Sequence, residues 1–163
     1  MALVQECRVD VNAAQHDGFT ALMHAVQCGH TATVVALVQQ CGADVNAGLA
    51  QECVADVYAA TQNGSTALML AAQCGYTATV VELAQKCGAD VNAATQDGST
   101  ALMSAAHDGH TATVVVVAQE CGADVNAAKQ DGFTALMSAA ESGHTATVVA
   151  LAQECGADVN AAK

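Results

Sequence analysis

The stretch from Asp97 to Ala127 sets out one cycle of polar and apolar positions. Asp97-Gly98 is a tight-turn dipeptide. Thr100 stands where a helix N-cap is needed, ahead of Ala101–His107, whose Leu102, Ala105 and Ala106 share one face at helical spacing. Gly109 takes the position at which a helix ends in a left-handed residue. A second helix is predicted from about Thr111 to Cys121. Its opening "TAT" offers hydroxyl caps, Val114, Val115, Val117 and Ala118 form its apolar side, and Gly122 ends it. "ADVNAA" then runs extended towards the next turn.

The cycle recurs at 17–47, 63–93, 97–127 and 131–161, with Gly18, Gly64, Gly98 and Gly132 in register at intervals of 46, 34 and 34. Two short helices and an extended finger cannot bury their apolar faces alone, whereas stacked copies can. The first interval is longer by 12, the length of "LAQECVADVYAA", Leu49–Ala60. This segment matches Leu151–Ala162 at ten of twelve positions, with Val54 in place of Gly156 and Tyr58 in place of Asn160. It reads as the tail of a repeat whose first helix is gone. Val54 cannot cheaply take the left-handed conformation that glycine allows. An enlarged loop or a short extra helix is therefore predicted near Gly48–Thr61. Met1–Ala14 likewise resembles the last third of a repeat.

These units resemble ankyrin repeats, whose pattern runs Asp/Asn-Gly-x-Thr-Pro-Leu-His-x-Ala-Ala-x-x-Gly-His, then a Val-Val-x-Leu helix, then Gly-Ala-Asp-Val-Asn-Ala. Thr134, Leu136, Ala139, Ala140, Gly143, His144, Val148, Val149, Leu151 and the "GADVNA" of 156–161 all match. The resemblance covers nearly the whole chain. It implies an all-α fold, an ankyrin-repeat solenoid of stacked helix-turn-helix units with extended β-finger loops. It divides the single domain, 1–163, into a partial repeat (1–14), a repeat (15–47), the remnant insertion (48–60) and repeats at 61–94, 95–128 and 129–163. Three departures recur in every repeat. Ala replaces the Pro that pre-organises the first helical turn. Met replaces the His beside it and is expected to fill its volume. "GHTATVV" carries one residue more than the family pattern, which predicts a longer connection or an early extra residue in the second helix.

Composition narrows the function. Asp and Glu number 16 against 4 Lys and Arg, a net charge of -12. Polyanionic nucleic acids are bound through Lys and Arg, so Arg8, Lys86, Lys129 and Lys163 make a nucleic-acid role a poor fit. The acidity would steer a basic partner surface. The longest aliphatic run, around Val114–Ala118, is far short of the roughly 20 residues a membrane span needs. Six cysteines, Cys7, Cys41, Cys53, Cys87, Cys121 and Cys155, share one repeat position before the helix-ending glycine, where a small buried hydrophobe fits. Stacked helices lie about 8–10 Å apart, beyond the reach of a disulfide between neighbours, and the spacing fits no zinc module. Reduced thiols in an intracellular compartment, cytoplasmic or organellar, follow. Cys28 and Cys74 align with Asp108 and Ser142 and are the candidate modifiable thiols.

His30, His110 and His144 fall on the Gly-His position, with Tyr76 replacing the fourth, and are read as structural. Asp44, Asp90, Asp124 and Asp158 are read as bonding the turn backbone and Asn46, Asn92, Asn126 and Asn160 as fixing the finger. No paired carboxylates, phosphate loop, nucleotide fingerprint, metal set or cofactor motif recurs, so no enzyme is expected. The resemblance implies a protein partner on the fingers and the exposed side of the first helices. Carried over by position, that surface takes His16, Phe19, His24 and Gln27; Gln62, Ser65, Leu70 and Gln73; Gln96, Ser99, Ser104 and His107; and Gln130, Phe133, Ser138 and Glu141. It lacks the Trp, Tyr and Arg that favour binding hot spots. The alternative is a structural subunit of a large assembly, packed through uncapped ends and the 48–61 insertion.

Overall fold

A computed structural model describes residues 9–16, 18–47 and 64–161. Each repeat gives a pair of helices. The pairs are α1 (Ala21–Gln27) with α2 (Thr31–Cys41), then α3 (Ala67–Gln73) with α4 (Thr77–Val81), which continues as a π-helical segment, Glu82–Lys86. Then follow α5 (Ala101–His107) with α6 (Thr111–Gln119), and α7 (Ala135–Glu141) with α8 (Thr145–Gln153). First helices pack side by side, α1 on α3 on α5 on α7, and second helices form the row behind them. This is the all-α stack that the repeat pattern predicts.

The local reasons hold repeat by repeat. Thr20, Thr66, Thr100 and Thr134 have extended backbones, and each hydroxyl accepts the amide three residues on, at 3.3–3.4 Å. Gly98, at φ 89°, closes its finger by donating its amide hydrogen to the Thr95 carbonyl, while the Thr95 amide donates to the Ser99 carbonyl across it. Leu22, Met23, Leu68, Met69, Leu102 and Met103 are fully or almost fully buried, each burial contributing about 1.5–3 kcal/mol. Met therefore does fill the space behind the capping threonine. Val114 and Val117 are sealed on α6, with Val115 and Ala118 half-buried beside them.

Three details differ from the sequence reading. The "TAT" hydroxyls do not cap: the residue before each second helix makes no side-chain cap. They bond between repeats instead, Thr31 to Thr79 and Thr77 to Thr113 at 2.7 Å and Thr111 to Thr147 at 2.8 Å. Thr79, Thr113 and Thr147 are buried, so a neighbour's hydroxyl serves them better than a helix end would. Next, "ADVNAA" turns rather than runs extended, because the Asp90 carbonyl accepts the Ala93 amide and its Oδ1 accepts that of Asn92. Finally, the widened hydrogen bonding lies at the C-terminal end of the second helix, not its start. Cys87, Cys121 and Cys155 bond five residues back, and Ala43, Ala89, Ala123 and Ala157 six back.

A second ladder ties the fingers. Asn12, Asn46, Asn92 and Asn126 each accept, through Oδ1, the backbone amide of the next full repeat's Asp44, Asp90, Asp124 or Asp158, at 2.7–2.8 Å. The asparagines thus fix the fingers, and they do so by linking each finger to its neighbour. Both ladders pass directly from the first repeat to the second, Asn46 to Asp90 and Thr31 to Thr79. The predicted insertion at 48–61 and most of the partial repeat 1–14 lie outside the described residues, as do Cys7 and Cys53.

Candidate functional site

The fingers and first helices line up because the ladders fix each repeat against the next. Their shared face carries a groove of about 430 Å³ spanning repeats two to four. Ser65 and Gln73 come from the second repeat, Ser99, Ser104 and His107 from the third, and Ser138 from the fourth. All six belong to the surface read from the sequence. Two of that surface's residues are not available. Ser138 is 4% exposed and donates its hydroxyl to the Thr134 carbonyl. Leu70 is 7% exposed and part of the core, since an inner first helix is flanked by another on each side.

The remaining residues lie apart from the groove lining. His16, His24, Gln27, Gln96, Gln130 and Glu141 are exposed, and Phe19 and Phe133 half-buried. Phe19 stacks at a tilt on His24, ring centres 5.3 Å apart, and Gln15 pairs with the same histidine at 3.1 Å. Gln130 donates its side-chain amide to the Gln96 carbonyl at 2.6 Å, holding the third and fourth fingers together. Gln62 lies outside the described residues.

Sequence reasoning missed Thr95, Asp97, Met103, Asp108 and Lys129, which also line the groove. Asp97 is held in place by its surroundings. The Thr95 hydroxyl donates to one carboxylate oxygen, the Ser99 hydroxyl to the other at 2.9 Å, and Lys129 Nζ lies 3.5 Å away. The Thr95 bond is the largest influence lowering the Asp97 pKa. Partial burial opposes it, Ser99 and Lys129 assist it, and the carboxyl ends at about 2. His107 Nδ1 meets Asp108 Oδ1 at 2.9 Å on the rim. The groove is lined mainly by polar residues, whose donors and acceptors stand among their own aliphatic carbons, with Met103 the one apolar residue in the lining.

The histidines of the Gly-His position serve the stack. His110 Nε2 pairs with the Gln73 carbonyl at 2.9 Å, and the His144 ring lies over Gly109. The tyrosine at this position, Tyr76, covers Gly29 in the same way. Cys28 and Cys74 are exposed, as the sequence reading has them. Partial cover of its sulfur, and then the Asp108 charge, push the Cys74 thiol up, so it holds less reactive thiolate than an ordinary cysteine. Burial, followed by the charge of Glu82, Glu120 or Glu154, does the same for the half-buried Cys87, Cys121 and Cys155, with Lys86 partly opposing it at Cys87. Among the described residues no three His, Cys, Asp or Glu side chains form a metal-holding group. No described helix is long and apolar enough to cross a membrane.

Comparison with protein families gives a consistent result. A model of ankyrin repeats, three copies long, matches residues 47–129 and again 68–163, and a model of the single ankyrin repeat matches 17–48. A search of curated proteins finds no match.

Proposed function

The chain belongs to the ankyrin-repeat family, and we propose that it is a non-catalytic module that holds a partner protein in the groove between its second and fourth repeats. Repeats of this family are generally protein–protein interaction modules, typically without catalysis. One observation carries the choice of face. Five residues expected there, Ser65, Gln73, Ser99, Ser104 and His107, meet in one groove, none of them buried. The net charge of -12 favours a partner with a basic surface and raises its rate of encounter.

Capture of a partner by the intact chain, followed by titration of variants, tests this. Gln73→Arg and His107→Ala, both in the lining, weaken the complex. Glu120→Arg, exposed at the C-terminal end of α6, leaves it within about twofold. Equal affinity for all of these would remove the groove from consideration. A second reading, a subunit packed into a larger assembly, draws on Val149 and Val159, which stand 43% and 63% exposed on the fourth repeat. Loss of the partner on Val149→Arg, with the groove variants silent, would favour it.

A further inference from the structure

We infer that the joint between the first and second repeats is the weakest coupling in the stack, so that residues 18–47 open as a unit while 64–161 stay folded. In a repeat array each unit is held by its neighbours, and uncoupling starts at the weakest interface. Four observations weigh against this joint, the first by comparison with the joint between the second and third repeats and the second by comparison with the joint between the third and fourth. The first is the ring contact: Tyr76 reaches the Gln27 carbonyl at 3.5 Å, where His110 reaches the Gln73 carbonyl at 2.9 Å. The second is the glutamine link between second helices. Gln39 meets the Lys86 carbonyl at 3.5 Å, whereas Gln119 meets that of Glu154 at 2.9 Å.

The third is in the fingers. Asn92 and Asn126 each make a further bond to a neighbouring carbonyl, Gly122 and Gly156, and the third and fourth fingers are tied again by Gln130 to Asp97. α1 also meets α3 less extensively than α3 meets α5 or α5 meets α7. The fourth is connectivity. Residues 48–63 separate Ala47 from Gly64, where only 94–97 separate Ala93 from Gly98. The longer contacts and the longer sequence spacing fall at the same joint. His24 and Gln27 ride on the unit that opens, so a partner bridging them to the groove has to close it.

Native-state hydrogen exchange on the full chain reads this directly. Uniform coupling between repeats would leave α1–α2 and α7–α8 equally protected. The weak joint instead makes the amides of α1 and α2 exchange about tenfold or more faster than those of α7 and α8. Deleting 49–60 restores a 34-residue register. The resulting Ala47-Gly48-Thr61-Gln62-Asn63-Gly64 closely repeats Ala93-Ala94-Thr95-Gln96-Asp97-Gly98. That deletion, or Tyr76→His, narrows the difference. Equal protection at the two ends, or a difference that neither variant reduces, overturns the inference.

Discussion

Gly109→Ala separates backbone strain from crowding within one repeat. Gly109 and Gly122 sit at φ 74° and 76°, and both end helices of the third repeat. An alanine at either position pays the left-handed penalty, about 1–2 kcal/mol. At Gly122 a Cβ meets nothing within 4 Å, so the cost stops there. At Gly109 it would lie 2.5 Å from His144 Nδ1 and 2.7 Å from Cε1 and Cγ. These are ring atoms packed against the preceding repeat, so the ring has to shift. Overpacking of this kind adds about 1–3 kcal/mol, which brings Gly109→Ala to roughly 2–5 kcal/mol in all. Urea denaturation followed by circular dichroism gives both values. With a slope of about 1–3 kcal/mol per molar urea, the two midpoints separate clearly. Adding His144→Ala removes the ring and brings the Gly109→Ala cost down to that of Gly122→Ala. Equal losses for the two alanines, or no relief on removing the ring, would refute the packing argument.

Three further outcomes follow from single contacts. Thr100→Ala lowers stability by about 1 kcal/mol in the same denaturation assay, and Thr100→Ser retains most of it. Asp97 has a folded pKa of about 2 against an ordinary 3.8, so its contribution is complete above the ordinary value and disappears as pH falls through about 2. The stability difference between the wild type and Asp97→Asn is accordingly flat above about pH 5 and shrinks between about pH 4 and 2. The side chain is 54% exposed, so screening keeps that difference below about 1 kcal/mol. Asp108→Asn removes the charge that helps raise the Cys74 thiol and speeds Cys74 alkylation relative to Cys28, measured by mass spectrometry at fixed pH; an unchanged ratio would exclude that influence.

Much of this structure could be read from 163 letters because each rule is local. Thr100 before an apolar helical run announces a cap, and Gly109 and Gly122 announce helix ends; all three act as read. The misreadings involve contacts one repeat away. Thr111 looks like a capping residue within its own segment, yet its hydroxyl meets Thr147. The return of "TAT" in every repeat was the available signal, since a column of identical polar side chains in a stack can bond to itself. Asn92 follows the same logic. Leu70 and Ser138 stand at a variable position, which suggests exposure, but neighbouring helices and fingers cover them. Asp97 and Lys129 line the groove only because two fingers close on each other, a meeting that no spacing along the chain encodes.

Coupling between adjacent repeats holds the stack, and double-mutant cycles on the threonine ladder measure that coupling. Thr77 bonds Thr113, and its repeat lies two steps from Thr147. Pairing Thr77→Val with Thr113→Val in urea unfolding gives a coupling energy of about 0.5–1.5 kcal/mol. Pairing Thr77→Val with Thr147→Val gives additivity within error. Coupling of the same size in both pairs, or in neither, would contradict a stack held together by nearest neighbours.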